Sequence, residues 1–281
     1  MTINLDSSAI DALVKTTLSE DIQNGDITTR NIFHDEKNAV AEVIALEPMV
    51  LCGLEIFKAI FKELTTKVAF TSFEYNDGDE ITAEETIIKI QCGAIPLLEG
   101  ERSALNILQW LSGIATLTRK FVKKADPVKV LDTRKTTPGL SIFEKYAVKC
   151  GGGTNHRFGL YDQVLIKDNH IEAAGSITNA MNHVRKNVNQ DKKLEIEVKN
   201  LKEVKEAINN QADIIMLDNM SFETIKKSIS LINGKSKIEI SGGITYDKLA
   251  EISKTGADYV SVGALTHSAP AVDISMKITS V

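Results

Sequence analysis

LEIEVKNLKEVKEAINNQADIIMLDNMSFETIKKSISLINGKSKIEIS, residues 194–241, contains three short apolar runs with two helical patterns between them. LEIEV (194–198), DIIMLD (213–218) and KIEIS (237–241) have the length of strands. LKEVKEAINN (201–210) and FETIKKSISLI (222–232) place apolar residues at helical spacing. Strands separated by helices run parallel and are joined by right-handed crossovers. The pattern continues on both sides. VKVLD (128–132) and VLIK (164–167) precede it, ITNAMNHVRKNV (177–188) fills the gap before Leu194, and TYDKLAEISKTG (245–256) leads into YVSVG (259–263). Six to seven βα repeats fall short of the eight of a complete barrel, so an incomplete, open α/β barrel is expected. A doubly wound sheet stays open as the alternative, because periodicity alone does not decide closure.

The first hundred residues read differently. SAIDALVKTTL (8–18) and LEIFKAIFKEL (54–64) are helical, while AVAEVIAL (39–46), KVAFTSFEY (67–75) and TIIKIQCG (86–93) are β-like. Asn76-Asp77-Gly78-Asp79 marks a turn between the last two. An α/β sandwich over residues 1–110 followed by a barrel over 111–269 is the expected organisation, with residues 270–281 a candidate to return to the first domain. EGERSALNILQWLSGIATLTRKFV (99–122) is a long helix leading from one to the other.

The chain has 281 residues, 43% hydrophobic and 25% charged, an ordinary globular balance. A net charge of −5 argues against nonspecific nucleic-acid binding, which needs a broad basic face. No apolar run is long enough for a membrane span, and the acidic start does not read as a signal peptide, so a cytoplasmic protein is expected. Cys52, Cys92 and Cys150 are odd in number and far from any CxxC spacing, which argues for buried thiols and against zinc or disulfides.

Nearly every strand ends in a polar residue or glycine: Asp132, Lys167, Glu197, Asp218, Ser241, Gly263. Parallel α/β folds bind ligands at that end. Within LDTRKTTPGLSIFEKYAVKCGGGTNHRFGLYDQVLIKDNH (131–170), Arg134, Lys135, His156, Arg157 and Lys167 converge near one rim, a cluster suited to a small polyanion. Glu197 and Asp218 could hold Mg²⁺ through water and substrate oxygens, or simply pair with the neighbouring cations. SGGIT (241–245) and SVGALTHSAP (261–270) follow the last two strands, where barrels often place a phosphate. Gly151-Gly152-Gly153 reads as a loop, with a flexible cover as the second reading. His34 and His183 read as surface residues, His170 as one that orients a loop, and His267 as a neighbour of the phosphate loop.

LDTRKTTPG, GGGTNHRFGL and LIKDNHI, together with SEDIQNGDITT, ERSALNILQWLSGIATLT, EIEVKNLKEV, IIMLDNM, ISGGI and SVGALTHSAPAVDIS, strongly resemble the quinolinate phosphoribosyltransferase family. The resemblance spans nearly the whole chain in order. It implies the fold of the type II phosphoribosyltransferases, an N-terminal α/β sandwich plus an open α/β barrel of about six to seven strands. It also implies a homodimer, assembling in some relatives to a hexamer, in which Arg102 reaches the neighbouring active site. Carried over by motif, Thr133, Arg134, Lys135, His156, Arg157 and Lys167 would bind the carboxylates and phosphates of quinolinate and phosphoribosyl pyrophosphate. Glu197 and Asp218 would face the ribose and its Mg²⁺, and Lys135 would join them in catalysis. Ser241, Gly242, Gly243, Val262, Gly263 and Ala264 would hold the 5-phosphate through backbone amides. No organic cofactor is implied. Lys199, where the family often has an acid, is the one departure, and it is expected to face a helix. Rival readings are a phosphoribosyltransferase for another small ring acid and an aldolase-like lyase using Lys167 as a Schiff base, against which the surrounding arginines count.

Overall fold

The computed structural model describes residues 5–33, 37–72, 75–189 and 192–280; His34 lies outside them. The chain divides into two compact units, Met1–Arg119 with Ile142–Gly152 and Ser268–Val281, and Lys120–Ser141 with Gly153–His267.

The first unit contains α1 (Ser7–Asp21), α2 (Thr29–Ile32), β1 (Asn38–Ala45), β2 (Met49–Val50), α3 (Leu54–Leu64), β3 (Ala69–Ser72), β4 (Glu80–Ile81) and β5 (Thr86–Gly93). It also takes most of α4 (Ala94–Ala125) and α5 (Ser141–Cys150). Its main sheet is antiparallel, in the order C-terminal strand (Ile274–Ser280), β1, β5, β3. In β1 the alternation is strict: Ala39, Ala41, Val43 and Ala45 are fully buried. The apolar stripe of α3 buries Ile56, Phe57, Ile60 and Phe61, with the two phenyl rings 5.2 Å apart and tilted. Asp77 caps that helix by accepting from the Gly53 and Leu54 amides at 2.9 and 3.0 Å, and the Tyr146 hydroxyl donates to it at 2.9 Å. Hydroxyls of α4 serve the short edge strand: Thr116 Oγ1 accepts from Val50 N and Ser112 Oγ from Cys52 N. A buried amide without such a partner would cost about 1–3 kcal/mol.

The second unit contains β6 (Lys129–Leu131), β7 (Val164–Ile166), α6 (Asp168–Ala174), α7 (Ile177–Asn187), β8 (Leu194–Val198), α8 (Leu201–Asn209), β9 (Ile214–Asp218), α9 (Phe222–Ile232), β10 (Lys237–Ser241), α10 (Leu249–Ile252), β11 (Tyr259–Ser261) and α11 (Ala264–His267). Ser176, Asn200 and Ser221 cap α7, α8 and α9 by accepting first-turn amides. The six strands pair in parallel in the order β6-β11-β10-β9-β8-β7. This order decides between the two expected topologies. From β7 to β11 the neighbours run monotonically, without the reversal of a doubly wound sheet, and the first strand then pairs with the last. Only the β6–β7 seam is unpaired among the described residues, and there the Leu131–Thr154 bridge extends β6. The unit is an open barrel.

The predicted 245–256 helix is interrupted. A 3-10 turn at Tyr246–Lys248 leads into the short α10. Beyond it, the Ser253 and Thr255 hydroxyls donate to the Ala250 and Ile252 carbonyls and compete with helix continuation.

Candidate active site

At the carboxyl ends of the barrel strands lies a cleft of about 680 Å³. Period two along each strand sets its layers. Lys167, Glu197, Asp218, Ser241 and Gly263 occupy the rim. Two residues earlier on the same strands, Leu165, Met216, Glu239 and Ser261 form the floor. Glu195, in register with Leu165, belongs to that deeper layer and is fully buried.

The cationic side is built by two loops. After β6, Thr133 Oγ1 accepts the Lys135 amide at 3.0 Å and the Thr266 hydroxyl donates to Lys135 O at 2.7 Å, a turn that leaves the Arg134 and Lys135 side chains exposed. Asp132, although a strand-end acid, is fully buried and serves the second loop: it accepts the His156 amide at 2.9 Å and the Asn155 side chain. Arg157 is 7% exposed, and its Nη1 donates to Gln163 O at 3.2 Å. Burial, and after it the charge of Arg134, push its guanidinium below the ordinary value. Two guanidiniums held close enough to repel each other form a place where an anion lowers the energy of both.

Across the cleft, burial and then the charge of Asp218 raise Glu197 above the ordinary carboxyl value. Lys167 Nζ is 3.7 Å from Glu197 Oε2. Asn219, at φ +52°, donates from Nδ2 to Asp218 Oδ2 at 2.7 Å and so fixes that carboxylate. Two mutually repelling carboxylates are hard oxygen donors that fit Mg²⁺, with water and substrate oxygens needed to complete the octahedron.

In the loop after β10, Gly242 has φ +97°, and a Cβ there would clash with Asn219 Oδ1. At Gly263 a Cβ would press on Lys135 Cδ and His267 Nε2, each at 3.1 Å, so the absence of a side chain leaves room for both. Lys248 Nζ donates to Gly243 O at 2.8 Å. Val262 departs from the expectation: its amide donates to Leu131 O at 2.9 Å as part of the barrel.

The remaining candidates fall as follows. Arg102 belongs to the first unit, with its side chain 62% exposed. His170 Nδ1 accepts the Lys167 amide at 3.0 Å at the start of α6, and Lys199 pairs with Asp168 of that helix at 2.7 Å. The glycine run is a tied loop, with Arg119 donating to Gly151 O at 3.0 Å. His183 and the exposed Leu160 and Tyr161 line a second, mostly hydrocarbon hollow of about 810 Å³ along the open edge of β7. Asn219, Gln163, Glu195 and Glu239 were not anticipated as site residues. The signal for the two acids was the alternation itself, since LEIEV puts Glu195 on the face of Glu197 and KIEIS puts Glu239 on the face of Ser241.

Comparison with known proteins adds an independent line. The family model described as quinolinate phosphoribosyl transferase, C-terminal domain, matches residues 114–277, and its N-terminal counterpart matches 26–112. A Bacillus subtilis protein named "Probable nicotinate-nucleotide pyrophosphorylase (carboxylating)" is 44% identical over 262 residues, covering 92% of this chain and 90% of that protein. The crystal structure of NadC from Streptococcus pyogenes superposes with a TM-score of 0.96 at 43% identity, covering 99% of both chains. The nicotinate-nucleotide pyrophosphorylase from Francisella tularensis gives 0.94 at 40% identity over 98% of both.

Proposed function

The chain belongs to the quinolinate phosphoribosyltransferase family, and from that premise we propose that the rim cleft of its barrel is where the reaction runs. The enzyme transfers the phosphoribosyl group of phosphoribosyl pyrophosphate to quinolinate with decarboxylation, giving nicotinate mononucleotide, pyrophosphate and CO₂ for NAD biosynthesis. The observation that carries the placement is the facing of Arg134 and Arg157 on one side of the cleft by Glu197 and Asp218 on the other.

In this reading Arg134, Arg157 and Lys167, with His156 beside them, clamp the two ring carboxylates and aim the ring nitrogen at C1 of the ribose, so much of the rate gain is positional. Gly242, Gly243, Gly263 and Ala264 receive the 5-phosphate, helped by the adjoining Lys135 and His267. As the C1–pyrophosphate bond breaks, positive charge develops at C1, and the carboxylates of Glu197 and Asp218 stabilise it. Lys135 offsets the negative charge of the leaving pyrophosphate. Glu197 and Asp218 would hold Mg²⁺, which when bound neutralises charge on the phosphoribosyl donor. With the ring nitrogen alkylated, the adjacent carboxylate leaves as CO₂; the electron pair left on C2 is stabilised by the neighbouring cationic nitrogen, and C2 then takes up a proton from solvent.

The active assembly in this reading is a homodimer with Arg102 completing the partner's site, and the apolar hollow along the open barrel edge is surface a partner would cover. No helix among the described residues is long and apolar enough to cross a membrane, and the three cysteines are unpaired, which suits a reducing cytoplasm. The test is turnover with phosphoribosyl pyrophosphate, Mg²⁺ and either carboxyl-labelled quinolinate or nicotinate. Nicotinate mononucleotide and labelled CO₂ from quinolinate alone are expected; product from nicotinate would redirect the assignment to another ring acid.

A further inference from the structure

Outside the cleft, the first unit brings two of its cysteines together. The Cys52 and Cys150 sulfurs and a carboxylate oxygen of Asp77 all lie within 4.8 Å of one another. Cys52, between β2 and α3, is fully buried, whereas Cys150, the last residue of α5, is partly exposed. Cys92 is buried in β5 and joins no such group among the described residues.

One turn holds the backbones of the pair. Gly78 donates its amide to Leu51 O at 2.8 Å, and Leu51 donates its own to Asp79 O at 2.9 Å. On the other side of that glycine, Arg119 Nη2 donates to Gly78 O at 3.1 Å and to Cys150 O at 3.2 Å. A Cβ at Gly78 would fall 3.9 Å from Cys150 Cα, so the end of α5 and the segment after β2 meet across a residue without a side chain. Ser112 fixes Cys52 further: its hydroxyl accepts the Cys52 amide at 2.9 Å and donates to Cys52 O at 3.2 Å. A disulfide brings its sulfurs to about 2.0 Å. Rotation of two short side chains supplies that approach where both backbones are already anchored side by side. The cysteines are far apart in sequence, and only the fold brings them to one turn.

A metal fits the group less well. Asp77 already accepts from the Gly53 and Leu54 amides and from the Tyr146 hydroxyl, three of the roughly four acceptor positions on a carboxylate. Two sulfurs and one lone pair remain, short of the four ligands that structural zinc takes.

We propose that Cys52 and Cys150 are a reversible oxidation site, at which hydrogen peroxide converts the two thiols into an intramolecular disulfide. The order of events follows exposure. The Cys150 sulfur attacks one peroxide oxygen, the O–O bond breaks, and Cys150 sulfenic acid forms with release of water. The Cys52 sulfur then attacks the Cys150 sulfur. The S–S bond forms, the S–O bond breaks, and the departing hydroxide takes the Cys52 proton to become a second water. Two thiols thus lose two electrons to one peroxide. Burial, then the contact with Cys150 and the charge of Asp77, hold the Cys52 thiol well above its ordinary value, so it is not the first to react. The crosslink closes a loop of about 100 residues and takes conformational freedom from the unfolded chain.

The test maps thiols after peroxide treatment. The full chain is reduced, desalted and exposed to hydrogen peroxide at neutral pH, then unfolded, alkylated and digested without reductant. Mass spectrometry is expected to find a Cys52–Cys150 peptide pair two hydrogens lighter than its thiols, lost after dithiothreitol, with Cys92 still alkylated. In Cys52→Ala the same treatment should leave Cys150 as a sulfenic acid trapped by dimedone, and in Cys150→Ala it should leave Cys52 alkylated. The wild-type map decides by itself should either variant fail to fold. Both cysteines still alkylated, Cys150 oxidised further while Cys52 stays alkylated, a crosslink to Cys92, or one between two chains would overturn the pair. Thermal melting gives a second readout. Oxidised wild type is expected to melt several degrees above the reduced protein, a gain that dithiothreitol removes. An unchanged or lower melting temperature would show that the crosslink strains the fold, and would refute a backbone already set for it.

Discussion

Asn219 Nδ2 donates to Asp218 Oδ2 at 2.7 Å, from a left-handed backbone position directly after the strand that carries the aspartate. The amide of Asn219 also donates to Ser241 O at 3.0 Å, which ties the end of β9 to the glycine loop after β10. One asparagine thus orients the Asp218 carboxylate and ties down the glycine loop after β10. Asn219→Gly keeps the backbone conformation and removes only the side-chain bond. We expect it to fold normally and to lose about 10–100-fold in activity or in apparent Mg²⁺ affinity, the usual effect of removing an outer hydrogen bond to a ligating carboxylate. A Mg²⁺ titration of initial rates checks this, and an unchanged curve would remove Asn219 from the site.

Arg102 and Lys135 lie in different units of the chain. If Arg102 serves the partner's cleft, Arg102→Ala and Lys135→Ala should each lose most turnover while remaining folded, and mixtures should recover part of it. A mixed dimer has one site with both defects and one with neither. Random reassortment of equal amounts after mild dissociation should therefore restore roughly a quarter of wild-type activity, as expected for a two-fold assembly. No recovery after verified subunit exchange would place Arg102 outside the partner's site.

The rim was legible because it follows from local pattern. LEIEV, KIEIS and FETIKKSISLI coincide with β8, β10 and α9, and Glu197 and Ser241 near the ends of those strands land on the cleft, whereas Asp132 after β6 does not. The floor was not legible in the same way. An acid inside an apolar run reads as solvent-facing, since glutamate is rarely buried, and only closure of the barrel turns Glu195 and Glu239 inward. Pairing of β6 with β11, and of the C-terminal strand with β1, joins segments distant in sequence and leaves no local signature. Val262 shows the cost of carrying a motif over whole. Its place in the run suggested a phosphate contact, but the strand pairing that positions the loop takes its amide.

The cysteines should differ sharply toward alkylating reagents, because the thiolate is the nucleophile. Burial pushes the Cys92 thiol up to about 11 and holds Cys52 well above its ordinary value, while Cys150 is partly exposed. Brief treatment of the native protein with iodoacetamide at mildly alkaline pH should label Cys150, and Cys52 and Cys92 should react only after unfolding. Peptide mapping by mass spectrometry reads the result. Early labelling of Cys92 would contradict its burial in β5.

The last prediction concerns stability against pH. Glu239 is raised in the folded state, so the folded protein keeps a proton that an unfolded chain, with an ordinary glutamate value of about 4.3, releases earlier. The stability contributed by the neutral acid is fully present below that ordinary value. It declines as pH rises toward the raised folded value, by at most about 1.4 kcal/mol per pH unit for one proton. Glu239→Gln cannot ionise and has no such slope. The melting temperature of wild type should therefore fall relative to that of Glu239→Gln as pH is raised from the acid side toward neutrality, with other titrating groups common to both proteins. Scanning calorimetry of the pair across that range measures the difference. Parallel profiles would mean that Glu239 ionises in the folded protein as readily as in the unfolded one.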